Sequence, residues 1–327
     1  MNPNKNNYIL NELIKKYFAD PNIKGEDLVS SHWRLYSDRV QLDFKDNGDL
    51  ISLKGEGFGN PTWNSIRACL LDLFCIMTHL LHLKRRISII KLYINACFLC
   101  KRIGLSPTLD TFRQVCSLVI LSEYISKRLT SRPLNFLIIG DGYGILSCLI
   151  AQKFPGCTLT LVDIGNTLLF QAYYCQRAYP DLRHTLLGTQ LPISLEGFSY
   201  CASEDMNILR SFEFDIVINI ASMQEMNQQT IAKYFKLLRD VMRNDNLFYC
   251  SNRISKLLVG GEHIKYDEYP WITDDVHLTD EICPWHRYFF SPTPVNVIRT
   301  NFRFQIPTIK RYDGLSRHRV TVLSTNI

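Results

Sequence analysis

The spacing of apolar residues changes near residue 131 of this 327-residue chain. Before that point, apolar positions recur at helical intervals over 9–18, 63–86 and 107–128, with Pro107 near the first turn of the last segment and Asp110 following it. Between the first two, residues 38–60 alternate with period two and turn at Asn47-Gly48, which predicts a β-hairpin. After residue 131, short apolar runs alternate with amphipathic ones. Strands are expected at 135–140, 158–163, 214–221 and 246–251, and helices at 145–154, 167–179 and 228–242. Such alternation predicts an α/β, doubly wound, Rossmann-like parallel sheet with helices on both faces. The expected division is a mainly helical region over 1–130 followed by an α/β domain over 131–327, without internal repeats.

The first strand of that domain breaks into three glycines, Gly140, Gly142 and Gly144, within FLIIGDGYGILS (136–147). At the carboxyl end of a strand in an open α/β sheet, glycines let the backbone turn sharply and approach a ligand, while the next helix presents free N–H groups. The spacing is G-x-G-x-G, not the G-x-G-x-x-G of dinucleotide folds, and no Lys-Ser/Thr pair follows as a phosphate-binding loop needs. Asp163 closes the second strand, 23 residues after Gly140, where a carboxylate accepts hydrogen bonds from ribose hydroxyls. A ribose with free hydroxyls and no pyrophosphate cradle describes S-adenosylmethionine.

Composition narrows the classes. Hydrophobic residues make up 46%, enough for a sizeable core. Lys+Arg 37 against Asp+Glu 31 gives a net +6, scattered in groups such as HLKRR (82–86), too mild to indicate nucleic acid. The eleven cysteines lie mostly in apolar stretches, and the polar start MNPNKNNYIL does not read as a secretory signal, so a reducing, cytoplasmic setting is expected. Cys97 and Cys100 form a C-x-x-C without a second pair at zinc-finger spacing. The most membrane-like stretch, 66–83, carries Arg67, Asp72, His79 and His82 and reads as a buried helix, not a span. Its polar stripe of Ser65, Asp72, His79, His82 and Arg86 is expected to be the wetter side of a packed helix.

Four stretches carry a resemblance: IIGDGYGILS (138–147), LVDIGNTLLFQAYYCQRAYP (161–180), FDIVINIASMQEMNQQTIAKYF (214–235) and FYCSNRISKLLVGGEHIKYDEYPW (248–271), the last continuing into TDEICPWHRYFF (279–290). They resemble the sugar O-methyltransferases of the class I, S-adenosylmethionine-dependent methyltransferase fold. The resemblance implies cofactor binding by Gly140, Asp141, Gly142, Tyr143, Gly144, Asp163, Ile164, Ala221 and Ser222, with S-adenosylhomocysteine as product. It implies a sugar hydroxyl as acceptor, on a nucleotide sugar, a glycan or a glycosylated metabolite, and antiparallel edge strands from 303–324. It also implies that the helical region helps to cover the active site. The family commonly has Gly where Asp141 stands and Pro where Gly165 stands.

Methyl transfer to a hydroxyl needs an oxygen held in line with the methyl group and a group to take its proton. Glu225, just after the strand expected at 214–221, and His286, in CPWHRYFF, are the candidate bases, with helix capping as the alternative role of Glu225. Asn252, Arg253, Tyr269 and Trp271 are the candidate sugar-binding residues, offering polar contacts and stacking faces. Asp274 and Asp275 are the candidate ligands should Mg2+ assist, an option less favoured than a metal-free site. The segment NIASMQEM lacks the Pro-Pro-aromatic and Pro-Cys patterns of nucleic-acid methyltransferases. A nicotinamide-dependent oxidoreductase and a non-catalytic binding protein remain the alternatives on the same sheet.

Overall fold

The computed structural model describes residues 4–18, 41–44, 50–54, 66–128, 132–188, 194–296, 303–311 and 314–325. Helix α1 (Asn4–Phe18) buries Ile9, Leu10 and Leu13, one stripe of its surface. Strands β1 (Gln41–Phe44) and β2 (Leu50–Lys54) pair antiparallel, and the Asn47-Gly48 turn lies outside the described residues. Helices α2 (Ile66–His82), α3 (Arg86–Ile103) and α4 (Leu109–Arg128) follow.

The continuous helix expected over 63–86 therefore ends at His82. Arg85 takes a left-handed backbone (φ 67°) and the chain restarts at Arg86 as α3, a helix the apolar pattern did not predict. Helix α3 stops at Gly104 (φ 83°), whose N–H reaches the carbonyls of Cys100 and Lys101, a C-terminal cap that needs a residue tolerant of positive φ. Of the polar stripe expected on the wetter side of α2, Asp72 is partly buried and Arg86 exposed, while Ser65 and the His82 side chain lie outside the described residues. His79 is buried, its Nδ1 2.7 Å from the Cys75 carbonyl oxygen and its ring edge-on to Phe112, whereas Leu70, Leu73, Met77 and Leu81 are exposed.

The α/β region runs β3 (Asn135–Ile139), α5 (Ile145–Lys153), β4 (Thr158–Asp163), α6 (Gly165–Ala178), β5 (His184–Leu186), β6 (Phe198–Ala202), β7 (Phe214–Ile220), α7 (Gln228–Val241) and β8 (Met242–Arg253). After the short pair β9 (Ser255–Leu257) and β10 (His263–Lys265) come β11 (Val276–Ile282), β12 (Tyr288–Asn296), β13 (Arg303–Arg311) and β14 (Ser316–Val322). The main sheet has the order β11-β14-β8-β7-β3-β4-β6-β5. Its strands from β8 to β5 are parallel, β14 is antiparallel to β8, and β11 is antiparallel to β14. This is the doubly wound sheet with an antiparallel edge that the alternation and the resemblance imply. Of the 303–324 segment only β14 joins it; β13 pairs with β12 in a separate two-stranded ribbon.

Alternate residues of the central strands serve opposite layers. Phe136 and Ile138 of β3, with Ile216 and Ile218 of β7, face the layer that includes α4, α5 and α6. Leu137 and Ile139, with Val217 and Phe248, face Ile231, Phe235 and Leu238 of α7. The first cluster also takes in Leu13 of α1 and Phe112 of α4, so the amino-terminal helices and the sheet share one core. From β3 the chain winds first to β4 on one side and later to β7 on the other, which opens a crevice at the carboxyl end of β3. At the opposite end, fully buried Asp215 of β7 accepts from Arg132, from Arg243 (3.1 Å) and from the Asn135 N–H (2.8 Å), tying the starts of β3, β7 and β8 together.

Candidate active site

A cavity of about 390 Å³ occupies that crevice, bounded by the loops after β3, β4, β6 and β7, the start of α4, Arg253 and His286. The glycine loop forms its floor. Gly140, Gly142 and Gly144 all have positive φ (76°, 62° and 77°), a conformation that side chains disfavour. A Cβ at Gly140 would overlap the Oγ and Cβ of Ser222, and one at Gly144 would lie 2.7 Å from Cys175 Sγ, whereas one at Gly142 would point into open space. Gly140 is thus glycine for packing and conformation together, and Gly144 positions α5 without lining the cavity.

Asp141 lines the cavity but serves the helix. Its carboxylate accepts from the N–H groups of Leu146 (3.2 Å) and Ser147 (2.8 Å) and from Ser147 Oγ (2.5 Å), capping the first turn of α5. Burial pushes its pKa up to about 6 against the pull of those donors.

Asp163 ends β4 with its carboxylate at the cavity. Ile164 N–H donates to Oδ1 (2.8 Å) and Gln171 Nε2 to Oδ2 (2.6 Å). Burial raises its pKa to about 8, the two donors oppose the rise, and the negative charges of Asp141 and Glu225 add to it. Thr167 Oγ1, also on the cavity wall, is buried without a hydrogen-bond partner among the described residues.

Helix α1 closes over the neighbouring loops. The Tyr17 ring packs so tightly on Gly165 that a Cβ there would overlap it, while Tyr17 Oη donates to Glu204 and Lys16 Nζ to Asp205 (2.8 Å). Glycine at 165, where the resembling family has proline, makes room for that ring.

After β7, Ala221 adopts a left-handed backbone (φ 58°) and the chain makes a 3-10 turn over Met223–Glu225. Glu225 does not cap α7; Asn227 does, its side chain accepting from Thr230 N–H at 2.8 Å. The Glu225 carboxylate instead pairs with Lys256 Nζ at 2.7 Å beside the cavity. His286 lines the same cavity from a short turn, Pro284–His286, with Nδ1 3.2 Å from Cys283 Sγ. Burial, reinforced by the positive charges of Arg113 and Arg253 and the neighbouring imidazoles of His318 and His79, holds its pKa well below the usual histidine value.

The cavity thus gathers Gly140, Asp141, Gly142, Tyr143, Asp163, Ile164, Ala221, Ser222, Glu225, Arg253 and His286. Three of the expected substrate residues lie elsewhere. Asn252 is fully buried, accepting from Gln224 N–H (3.1 Å) and donating to Asn219 Oδ1 (2.8 Å), so it shapes the loop after β7 from behind. Tyr269 and Trp271 belong to the core beyond α7, with Trp271 edge-on to Phe235 at 4.9 Å and the Arg319 guanidinium over its ring. Asp275 is committed to Arg239 (2.8 and 2.9 Å) and to the N–H groups of Ile272 and Ser324, and Asp274 is exposed away from the cavity, which removes that pair as Mg2+ ligands.

The pattern along the chain did not identify one wall of the cavity. Thr108, Asp110, Thr111, Arg113 and Gln114, at the start of α4, line it. Asp110 Oδ1 accepts from Arg113 Nη1 (2.9 Å), Arg113 Nε donates to the Trp285 carbonyl (3.3 Å), and Gln114 Oε1 is buried without a partner among the described residues. The Pro107-x-x-Asp110 helix start marks this turn in the sequence, yet nothing there shows that it borders the same cavity as the glycine loop.

No protein-family model and no curated protein matches the chain. Solved structures resemble it at low identity. Coclaurine N-methyltransferase, bound to N-methylheliamine and S-adenosylhomocysteine, is 13% identical with a TM-score of 0.35, over 51% of this chain and 49% of that one. TehB from Haemophilus influenzae is 12% identical with a TM-score of 0.37, over 63% and 61%. The pyocyanin biosynthetic protein PhzM is 14% identical with a TM-score of 0.37, over 65% and 58%. The chain thus spans about half to three-fifths of these proteins. Likeness at this level carries nothing about activity or substrate, and the fold assignment rests on the strand order and register above.

Proposed function

We propose that the protein is an S-adenosylmethionine-dependent O-methyltransferase acting on a sugar hydroxyl. The observation that carries the cofactor reading is the pairing of a positive-φ glycine loop after β3 with Asp163 at the end of β4, across one cavity. Two features fit the nucleoside. Gly142 leaves open space where a side chain would stand, and Thr167 Oγ1 is a buried hydroxyl still lacking a partner. Asp163, oriented by Gln171, accepts the ribose hydroxyls. When bound, S-adenosylmethionine supplies a methyl group on a sulfonium; its carbon bonds to the acceptor oxygen as the carbon–sulfur bond breaks, and the hydroxyl proton leaves to a base.

The chain's own part is placement and proton removal. Thr108, Thr111 and Gln114 give the wall of α4 hydroxyl and amide groups, suited to the paired donors and acceptors of a sugar. Gln114 Oε1 accepts one acceptor hydroxyl, gaining the partner it lacks. His286, held neutral, and Glu225, held by Lys256, are the groups positioned to accept the proton. The sugar assignment rests on the sequence resemblance and on this polar wall; no aromatic platform from Tyr269 or Trp271 supports it, since neither reaches the cavity.

Incubation with methyl-labelled S-adenosylmethionine and a panel of nucleotide sugars, free sugars and glycosides tests the reading. Label transferred to a sugar oxygen supports it. Turnover on phenols or amines but not on sugars would keep the cofactor and overturn the acceptor, and binding without turnover on any acceptor would favour a non-catalytic role.

A further inference from the structure

Helix α3 is apolar on two opposite faces. At about 100° per residue, Ile89, Leu92, Ala96, Leu99, Cys100 and Ile103 fall on one side and are buried. Ile87, Ile90, Ile94 and Phe98, spaced three, four and four apart, fall on the other and are 71%, 43%, 48% and 69% exposed. Leu81, at the end of α2, is 63% exposed and stands just before the Lys84-Arg85-Arg86 corner that leads into this stripe. Isolated exposed apolar residues need no explanation, but a continuous outer stripe on a helix already anchored by its inner face marks a contact surface.

Charge selects the partner. Helix α3 carries Arg86, Lys91, Lys101 and Arg102 and no Asp or Glu. By the same angular count Lys101 falls within the stripe, between Ile90 and Ile94, and Lys91 lies at its edge beyond Phe98, and both are exposed. A symmetric contact with a second copy would set these cations against themselves with no carboxylate on α3 to answer them. A lipid surface bearing acidic headgroups meets both features: acyl chains for the isoleucines and Phe98, and negative charge for the lysines, whose long stems reach outward from an apolar base.

We propose that the outer face of α3, with Lys84 and Arg86 at its start and Arg85 paired with Glu123, docks the protein on an anionic membrane surface. The helix lies flat against the headgroups and does not span, in keeping with the absence, among the described residues, of any helix long and apolar enough to cross a bilayer. The proposal does not depend on the methyl-transfer reading.

Flotation of the full chain with vesicles tests it, using phosphatidylcholine alone and phosphatidylcholine with about one-third phosphatidylglycerol at about 0.1 M salt. The account expects recovery with the anionic vesicles, little with the neutral ones, and loss of binding at about 1 M salt. Lys91→Glu with Lys101→Glu is expected to weaken partitioning by about thirtyfold or more. Ile94→Asp is expected to abolish it while leaving the melting transition unchanged, because Ile94 is exposed. No recovery with either vesicle, equal recovery with both, or native-like binding by Ile94→Asp would overturn the proposal. So would a native dimer that Ile94→Asp converts to a monomer, which would make this face a protein–protein contact.

Discussion

Gln171 Nε2 donates to Asp163 Oδ2 at 2.6 Å, so an amide two turns into α6 fixes the carboxylate that ends β4. Burial pushes the pKa of that carboxyl up to about 8, against the pull of its two donors. Ribose hydroxyls donate to a carboxylate and favour its ionised form, so binding at lower pH must release a proton. Affinity for S-adenosylhomocysteine is therefore expected to rise by up to about tenfold per pH unit between pH 6 and 8 and to level off above. Calorimetry in buffers of different ionisation enthalpy would show the proton released. Gln171→Met, which removes a donor to the charged form, is expected to move the rise to higher pH.

Gly140 and Ser222 share a space that admits one side chain. Gly140→Ala adds a clash to a strained positive φ, and is expected to lower stability by about 2 kcal/mol or more and to abolish cofactor binding. Ser222→Gly removes the clashing atoms, so the double variant is expected to keep only the backbone strain, about 1 kcal/mol. Urea unfolding of the two single variants and the double variant measures the difference. Additive losses would show that the two positions do not compete.

Glu225 and His286 both line the cavity, Glu225 paired with Lys256 and His286 beside Cys283. Glu225→Gln and His286→Ala are expected to leave affinity for S-adenosylhomocysteine within about twofold, whereas kcat falls about 100-fold or more for whichever residue takes the proton. A loss of cofactor affinity in either variant would assign that residue to the cofactor instead. A large drop for both would place them in one proton path.

Asp215 accepts from Arg132, Arg243 and the Asn135 N–H at full burial, far from the cavity. Asp215→Ala leaves the part-buried Asn135 N–H and Arg132 without their carboxylate, while Arg243 keeps Glu213, and is expected to cost about 2 kcal/mol of stability. Chemical denaturation checks this; kcat at a temperature where the variant stays folded should be near native.

The central strands were legible because buried parallel strands read as short apolar runs, and the glycine loop and Asp163 because they sit at fixed places relative to those runs. Strand β6 escaped notice because Ser199 and the preceding Gly197 break its run, and β5 is only three residues long. Helix α3 escaped because apolar residues on two opposed faces erase the amphipathic signal, and its start carries no proline, glycine or capping side chain. Tyr269, Trp271 and Asp275 show the limit of composition. Their mixture of rings and acids suits a sugar site, yet Trp271 packs on Phe235 and Asp275 holds Arg239. Thr111 and Gln114 show the converse, since a polar helix start joins the site only when α4 folds against β8 and the Pro284–His286 turn.

Calorimetric titration with S-adenosylhomocysteine at pH 8.5, against native protein and Asp163→Ala and with NAD+ as the competing ligand, tests the central claim most directly. The account predicts one site per chain for S-adenosylhomocysteine, weakened about 100-fold or more by the substitution, and no binding of NAD+. Binding of NAD+ alone, or equal binding of S-adenosylhomocysteine by native and variant proteins, would contradict it.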